Sequence, residues 1–542
     1  MIDIMYLRTS NRKLQNGKEV TYLQIAENEW DPVKKRSRVK ILCTLGRADD
    51  QATDRLQQLA RSIRKNAPWE SIAELEEGWR FITSWEHGPL TVIENLWQQM
   101  GLHKIINEAV KKEERQVPFE RSIFAMVANR CLEPSSKLDC YERWMKKCIY
   151  FPEGKTISLH HLYRALDFLS VYKDKIEEEI YWKTADLLNM DVDLIFYDTT
   201  SVSFEIDEED EGGLRKRGYS KEGRPDAPQV VVGMAVTRDG FPVKTWVFPG
   251  NTTDVTTISR VKNDLRGWRL NRCVFVADAG MVSDENLREL SKGGGHYIVA
   301  MPCRRGTEVV DDVLGRPGRF KIVADNLQVK EVWVGSRVRR RRYVVCFNPL
   351  EAERQRMHRV EVLHELEAEM TSLRGHPKKS CRLLSSRRFG PYLRTLKSGE
   401  LRINRGAIRE RARRDGLWVI HSNDEELSAE DLALGYKQLI RVEETWRTMK
   451  STIRIDPVYH RNPERIKAHV FLCSLALLLE RMAEKACGRT WTRIREELRS
   501  IKVGQLLSPH GTIFQTSPGS MEARKLLKRL GIEPLPNILN AE

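Results

Sequence analysis

The segment 191–302 constrains the fold more tightly than any other part of the chain. It holds five strand-like runs, DVDLIFYDTTSVSFE, APQVVVGMAVT, FPVKTWVFPG, RCVFVADAG and HYIVAMP, with one helix-like run, TTISRVKNDLRGW, between the third and fourth. Three consecutive strands followed by an alternation of helix and strand is a mixed α/β pattern. In two of them an apolar stretch is followed by an acid: Asp198 after LIFY and Asp278 after VFVA.

The flanking sequence has a different texture. Residues 1–50 alternate in strand fashion through VTYLQIAENEW, a basic turn at DPVKKR, and SRVKILCTLG, which predicts a small β unit. Residues 51–190 carry apolar positions at helical spacing in DRLQQLARSI, LTVIENLWQQMG and LHHLYRALDFL, with Ser158 as an N-cap for the last. After the mixed α/β part at 191–304, residues 305–430 mix strand runs (RFKIVAD, KEVWVG, RRYVVCF, GLWVIHS) with a charged helix. Residues 431–490 turn strongly helical, and 491–542 form a C-terminal tail region.

Bulk properties narrow the class. At 542 residues several domains are expected. Lys and Arg total 91 against 76 Asp and Glu, a net charge of +15 spread along the chain, which suits a polyanionic partner. The cysteines form no CxxC pair and mostly sit in apolar runs, so they read as buried hydrophobes in a reducing compartment. The N-terminus carries no apolar signal region, and the longest apolar run, Val470 to Leu479, is too short to span a bilayer. A cytoplasmic protein without a membrane partner is expected.

A buried strand with a carboxylate at its end must solvate, pair or metallate that charge. Two such aspartates in one sheet suit a shared hard cation, Mg or Mn. For a third acid, Tyr436, Glu443 and Lys450 recur every seven residues, close to two helical turns, on one stripe of a helix at 431–450. Leu439, Val442, Trp446 and Met449 form the neighbouring apolar stripe, and Arg447 also lines the polar face. Glu444 is rotated by about 100° and is the weaker candidate.

YDTTSVSFE, GYSKEGRPDAPQVVVGMAVTRDGFPV, FPGNTTD, VFVADAGMVSDENL and YKQLIRVEETWRTMKS together resemble DDE transposases of bacterial insertion sequences, in the superfamily with a Tyr-Arg-Glu-Lys signature. The resemblance is dense over 191–305 and 415–482, and weaker in the N-terminal β unit and in FAMVANRCLEPSSKL. It implies a ribonuclease-H-like catalytic domain interrupted by an insertion between Asp278 and Glu443. It further implies that Asp198, Asp278 and Glu443 hold two Mg or Mn ions about 4 Å apart. Those ions would serve cleavage at the element ends and strand transfer of the freed 3′-hydroxyl. Tyr436 and Lys450 are then assigned to DNA phosphates. One position departs from the signature: Leu439 stands where Arg is expected, and the nearest Arg is Arg441.

The implied partner is double-stranded DNA, both terminal inverted repeats and target, held by a homodimer, with end recognition in residues 51–190. Lys221 and Arg224, in GYSKEGR, and Arg447 are further DNA-binding candidates. Arg337 and Arg339 to Arg342 are either phosphate grips or a charged edge strand. Glu205 to Glu211 read as a solvated loop, and His460 and His469 as packed or surface residues. Two rivals remain: a nuclease of the same fold without strand transfer, and a domesticated, non-catalytic DNA-binding protein.

Overall fold

The computed structural model describes residues 5–13, 19–31, 36–47, 79–111, 113, 117–187, 194–266, 268, 274–303, 309–336, 340–373, 382–508 and 511–541. The chain divides into two compact units, Met1–Thr83 with Gly504–Gln515 and Ile538–Glu542, and Ser84–Val503 with Thr516–Asn537. In the first unit β1 (Met5–Lys13), β2 (Glu19–Asp31) and β3 (Arg36–Arg47) form an antiparallel three-stranded sheet. β2 and β3 are the alternating runs of the sequence; β1, MYLRTSNRK, is too polar to stand out as a strand. The run DRLQQLARSI and the interior of the turn DPVKKR lie outside the described residues.

After β4 (Arg80–Glu86), the chain becomes helical through α1 (Gly88–Gln99), α2 (Leu102–Val110), α3 (Phe119–Leu132) and α4 (Leu159–Leu187). Ser158 caps α4, its hydroxyl accepting the His161 backbone N–H at 3.3 Å.

The strands that follow build one nine-stranded mixed sheet. β5 (Leu194–Ser203), β6 (Gln229–Thr237) and β7 (Pro242–Pro249) run antiparallel in succession. Helix α5 (Asp254–Arg266) then leads to β8 (Val274–Ala277), and α6 (Asp284–Ser291) leads to β9 (His296–Met301), with β5, β8 and β9 parallel. The order β9-β8-β5-β6-β7 is the ribonuclease-H-like arrangement within a mixed α/β fold. β5 lies at its centre because nine of its ten side chains are buried, as a strand covered on both faces requires. Leu194 and Phe196 enter a core with Trp446 and Leu472, whereas Ile195 and Tyr197 enter a second core with Val261 and Leu265 of α5.

The strand-rich stretch after β9 continues the same sheet. β10 (Lys321–Ala324), β11 (Leu327–Val334) and β12 (Arg341–Phe347) extend it through β15, in the order β10-β11-β12-β15-β9. Helix α7 (Pro349–Ser372), the hairpin β13 (Leu393–Thr395) and β14 (Leu401–Ile403), and α8 (Arg405–Ala412) intervene before β15 (Leu417–Ser422).

The predicted helix at 431–450 is two helices, α9 (Ala429–Lys437) and α10 (Ile440–Ser451). Backbone N–H groups of Gln438, Leu439, Arg441 and Val442 each bond three residues back, so the turn tightens between them. No glycine or proline marks this junction. Leu439 and Val442 are held in the core, and the tighter turn keeps both there.

Helix α11 (Pro463–Cys487) then crosses the core with Val470 to Leu479 buried throughout. Among the described residues, no helix is long and apolar enough to cross a membrane. Cys131, Cys140, Cys346, Cys473 and Cys487 are buried and free. The chain ends through α12 (Trp491–Leu498), β16 (Lys502–Ser508), β17 (Gly511–Thr516), α13 (Met521–Arg529) and β18 (Ile538–Ala541), with a sheet ordered β18-β17-β16-β4.

Helix α9 approaches the sheet through Gly435, where an added Cβ would meet Ile298 Cδ1 and Leu194 Cδ1, each at 3.4 Å. Gly435→Ala should be near neutral, because better helix propensity offsets the tight contact. Gly435→Leu should cost about 1–3 kcal/mol by overpacking, read as a lower denaturant midpoint in equilibrium unfolding.

Candidate active site

Strand register brings the first two acids together. β5 and β8 pair Phe196 with Val276, and two residues further along each chain stand Asp198 and Asp278. Both chains stay extended there, Asp278 at φ −81°, ψ 165°. Because side chains alternate along a strand, Asp198 and Asp278 share the face of Phe196 and Val276, against which Val442 and Trp446 of α10 pack. Asp198 is the one residue of β5 that is not fully buried, and Asp278 is exposed. The Asp198 carboxyl is raised above the usual carboxylate value, chiefly by burial; Lys221 opposes this, and the charges of Asp254 and Asp278 add to it.

Helix α10 carries Glu443, exposed, and Lys450 two turns on. Tyr436 belongs to α9, and its phenol donates a hydrogen bond to Asp278 Oδ1 at 3.1 Å. Burial raises the Tyr436 phenol further from ionisation, and the neighbouring charges of Asp278 and Glu443 act in the same direction. The phenol therefore stands between these two acids as a neutral donor. Glu444 pairs instead with Arg441, at 3.0 Å. Leu439 is buried in the core, so no guanidinium is available from the position where the signature expects one. Arg447 is exposed on α10.

The connection between β5 and β6 folds back over the site. Lys221 donates to Thr199 O and Thr199 Oγ1, both at 2.8 Å, and its ammonium lies 3.1 Å from Asp254 Oδ2 and 3.7 Å from Asp198 Oδ1. Thr199 in turn donates its hydroxyl hydrogen to Asp254 Oδ1. The next residue, Glu222, receives Lys450 Nζ at 2.7 Å and the Ser203 hydroxyl at 2.8 Å. Gly218 is pressed so closely on the β7 turn that an added Cβ would lie 2.2 Å from Gly250 O. Arg224 pairs with Glu205, at 2.5 Å.

Asp254, Thr199 and Glu222 are absent from the sequence reading. Asp254 does fall in the block FPGNTTD, but an acid opening a helix after a turn reads as an ordinary terminal residue. Elsewhere, Arg340 stacks on Trp333 at 4.1 Å, Arg342 is buried against Glu331 at 2.7 Å, and Arg337 and Arg339 lie outside the described residues. His469 is buried with Nε2 2.8 Å from Ile455 O, and burial pulls His460 down to about 3. In the acidic loop Asp210 pairs with Arg215, and Glu209 lies 3.8 Å from Lys216.

The donors fit a hard divalent cation: carboxylate oxygens lie on adjacent parallel strands, and the inner one is held against its own ionisation by burial and by its neighbours' charge. The Lys221 ammonium already sits between Asp198 and Asp254. As the side chains are placed, no three His, Cys, Asp or Glu among the described residues converge on a single ion position.

The sheet is of the ribonuclease-H-like class, with Asp198 midway along β5, where the sequence suggested a strand end, and Asp278 just past the end of β8. A family model described as a transposase DDE domain matches residues 194–479, more than half of the chain, and the chain belongs to that family. No curated protein matches it. Among solved structures, it is similar to a cryo-EM structure of the piggyBac transposase synaptic complex with hairpin DNA. That likeness has 9% identity and a TM-score of 0.35, covering 76% of this chain and 79% of that one.

The raised Asp198 carboxyl fixes the sign of a pH effect. Its contribution to stability is complete below the ordinary value of 3.8 and is lost as pH rises through the raised pKa. In metal-free, DNA-free protein, the melting temperature of Asp198→Asn should therefore gain on wild type as pH rises from about 4 to 7. Melting curves across that range check it; equal offsets at every pH would contradict it.

Proposed function

We propose that this chain is an insertion-sequence transposase that cleaves the ends of its element and transfers the freed 3′-hydroxyl to target DNA. The observation that carries the reading is the register of β5 and β8, which sets Asp198 beside Asp278 on the sheet face covered by α10, the helix of Glu443. Membership of the transposase DDE family supplies the reaction class.

Asp198, Asp278 and Glu443 would hold Mg or Mn, and the Tyr436 phenol, bonded to Asp278 Oδ1, would steady that carboxylate. A bound divalent ion supplies an activated water and stabilises charge on the leaving oxygen. The protein's own share is to position these acids at the edge of a dry core, where burial leaves the Asp198 charge in want of a cation, and to line the approach with donors. Tyr436 stays a neutral phenol at working pH, because burial and two nearby acids oppose its ionisation, and so suits hydrogen bonding to a phosphate oxygen. Lys450 and Arg447 of α10, with Lys221 and Arg224 of the β5–β6 connection, would meet the DNA backbone. Each of Lys450, Lys221 and Arg224 would exchange an internal carboxylate for a phosphate. Terminal-repeat recognition is assigned to residues 51–190, pairing of two ends to a homodimer, and the site of action to the bacterial nucleoid.

Asp198→Ala, Asp278→Ala and Glu443→Ala should each lower cleavage of matched end DNA in Mg by roughly a thousandfold or more, since such stabilisation is worth several kcal/mol. DNA binding by gel shift should persist. Near-normal cleavage by all three would refute the assignment, and cleavage without joined product would favour the nuclease.

A further inference from the structure

The β5–β6 connection places a cation inside the acid cluster that it covers. Past Phe196 the register of β5 with β8 ends, although β5 continues to Ser203, leaving Thr199 O without a partner from that strand. Lys221 Nζ takes that carbonyl at 2.8 Å, and reaches the Thr199 hydroxyl at 2.8 Å, Asp254 at 3.1 Å and Asp198 at 3.7 Å. Its backbone is fixed as well, because the Lys221 N–H donates to Ser201 Oγ at 2.9 Å. This is more than a surface ion pair: the side chains of Lys221, Asp198 and Asp254 are only 32%, 21% and 27% exposed.

Asp254 explains why the ammonium is held there. It opens α5, where a negative charge is favoured, and the Thr199 hydroxyl orients it toward the lysine. Lysine suits such a post because its charge is compact and rides on a flexible four-carbon stem. A divalent ion bound by Asp198 would repel the ammonium twice as strongly as a monovalent one at the same distance. The two cations therefore compete for one carboxylate.

Resting on the transposase reading, we propose that Lys221 is the resident counter-ion of the acid site. Anchored by Asp254 and Thr199, its ammonium occupies Asp198 until a DNA phosphate draws it off and a divalent cation takes its place. Metal and DNA then favour one another's binding, since each removes a cost from the other.

The test is Mn binding to the DNA-free, full-length protein, followed by the EPR signal of free Mn. Lys221→Met should bind Mn at least about ten times more tightly than wild type, and Lys221→Gln, which keeps a donor for Thr199, should do the same. Lys221→Arg, which keeps the charge, should bind as weakly as wild type. Adding Asp198→Asn to Lys221→Met should abolish the gain. If wild type shows Asp198-dependent binding that neither neutral variant tightens, the counter-ion role is wrong while the transposase reading stands. If no Asp198-dependent binding is seen in any form, both fall.

Discussion

The structure depends on how one carboxylate is accommodated in a strand that is otherwise wholly buried. β5 is the middle of the five strands β9-β8-β5-β6-β7, packed on both faces, and Asp198 is its single charged residue. A bare carboxylate there is costly, and the fold answers that cost locally. β8 stops one residue before Asp278, so the two acids meet at an opening in the sheet, and the β5–β6 connection brings Lys221 into that opening. Without the opening there would be no site; without the dry strands around it, the acids would have no fixed geometry.

The two helices over the opening serve different ends. α10 docks through Val442, Trp446 and Met449, which leaves Glu443 exposed and Lys450 turned to Glu222. α9 sits close to the sheet through Gly435 and delivers Tyr436 to Asp278. The tightened turn between them lets both helices keep apolar residues in the core while the Tyr436 phenol reaches Asp278 and feels the charge of Glu443. Lys221 and Lys450 fasten the β5–β6 connection at adjacent residues, so one loop carries contacts to both the acid strands and α10.

Much of this is legible in the residue order. Apolar runs followed by an acid mark β5 and β8, although β5 continues past Asp198 to Ser203, and the seven-residue step from Glu443 to Lys450 holds because both lie on α10. The break between α9 and α10 is not legible, since Gln438 and Leu439 are not helix-breaking types and only core packing sets the turn. Asp254 is hidden for a related reason. A helix-opening aspartate is ordinary, and what distinguishes it is its contact with Thr199, 55 residues away, and with Lys221. The exchangeable pairs of Lys221, Lys450 and Arg224 likewise arise from chain reversal over β5, which no local spacing encodes. β1 escapes notice because its alternation is polar against polar.

The central claim is that Asp198, Asp278 and Glu443 together hold the ions that act on DNA. Its most direct measurement is the structure of the chain bound to end DNA with Mn, using the anomalous signal of Mn to locate the metal. The account predicts Mn bound by Asp198 and Asp278 with Glu443 in the same site, and the Lys221 ammonium displaced onto a phosphate. Mn held elsewhere, or Lys221 still seated on Asp198 beside bound DNA and metal, would contradict it.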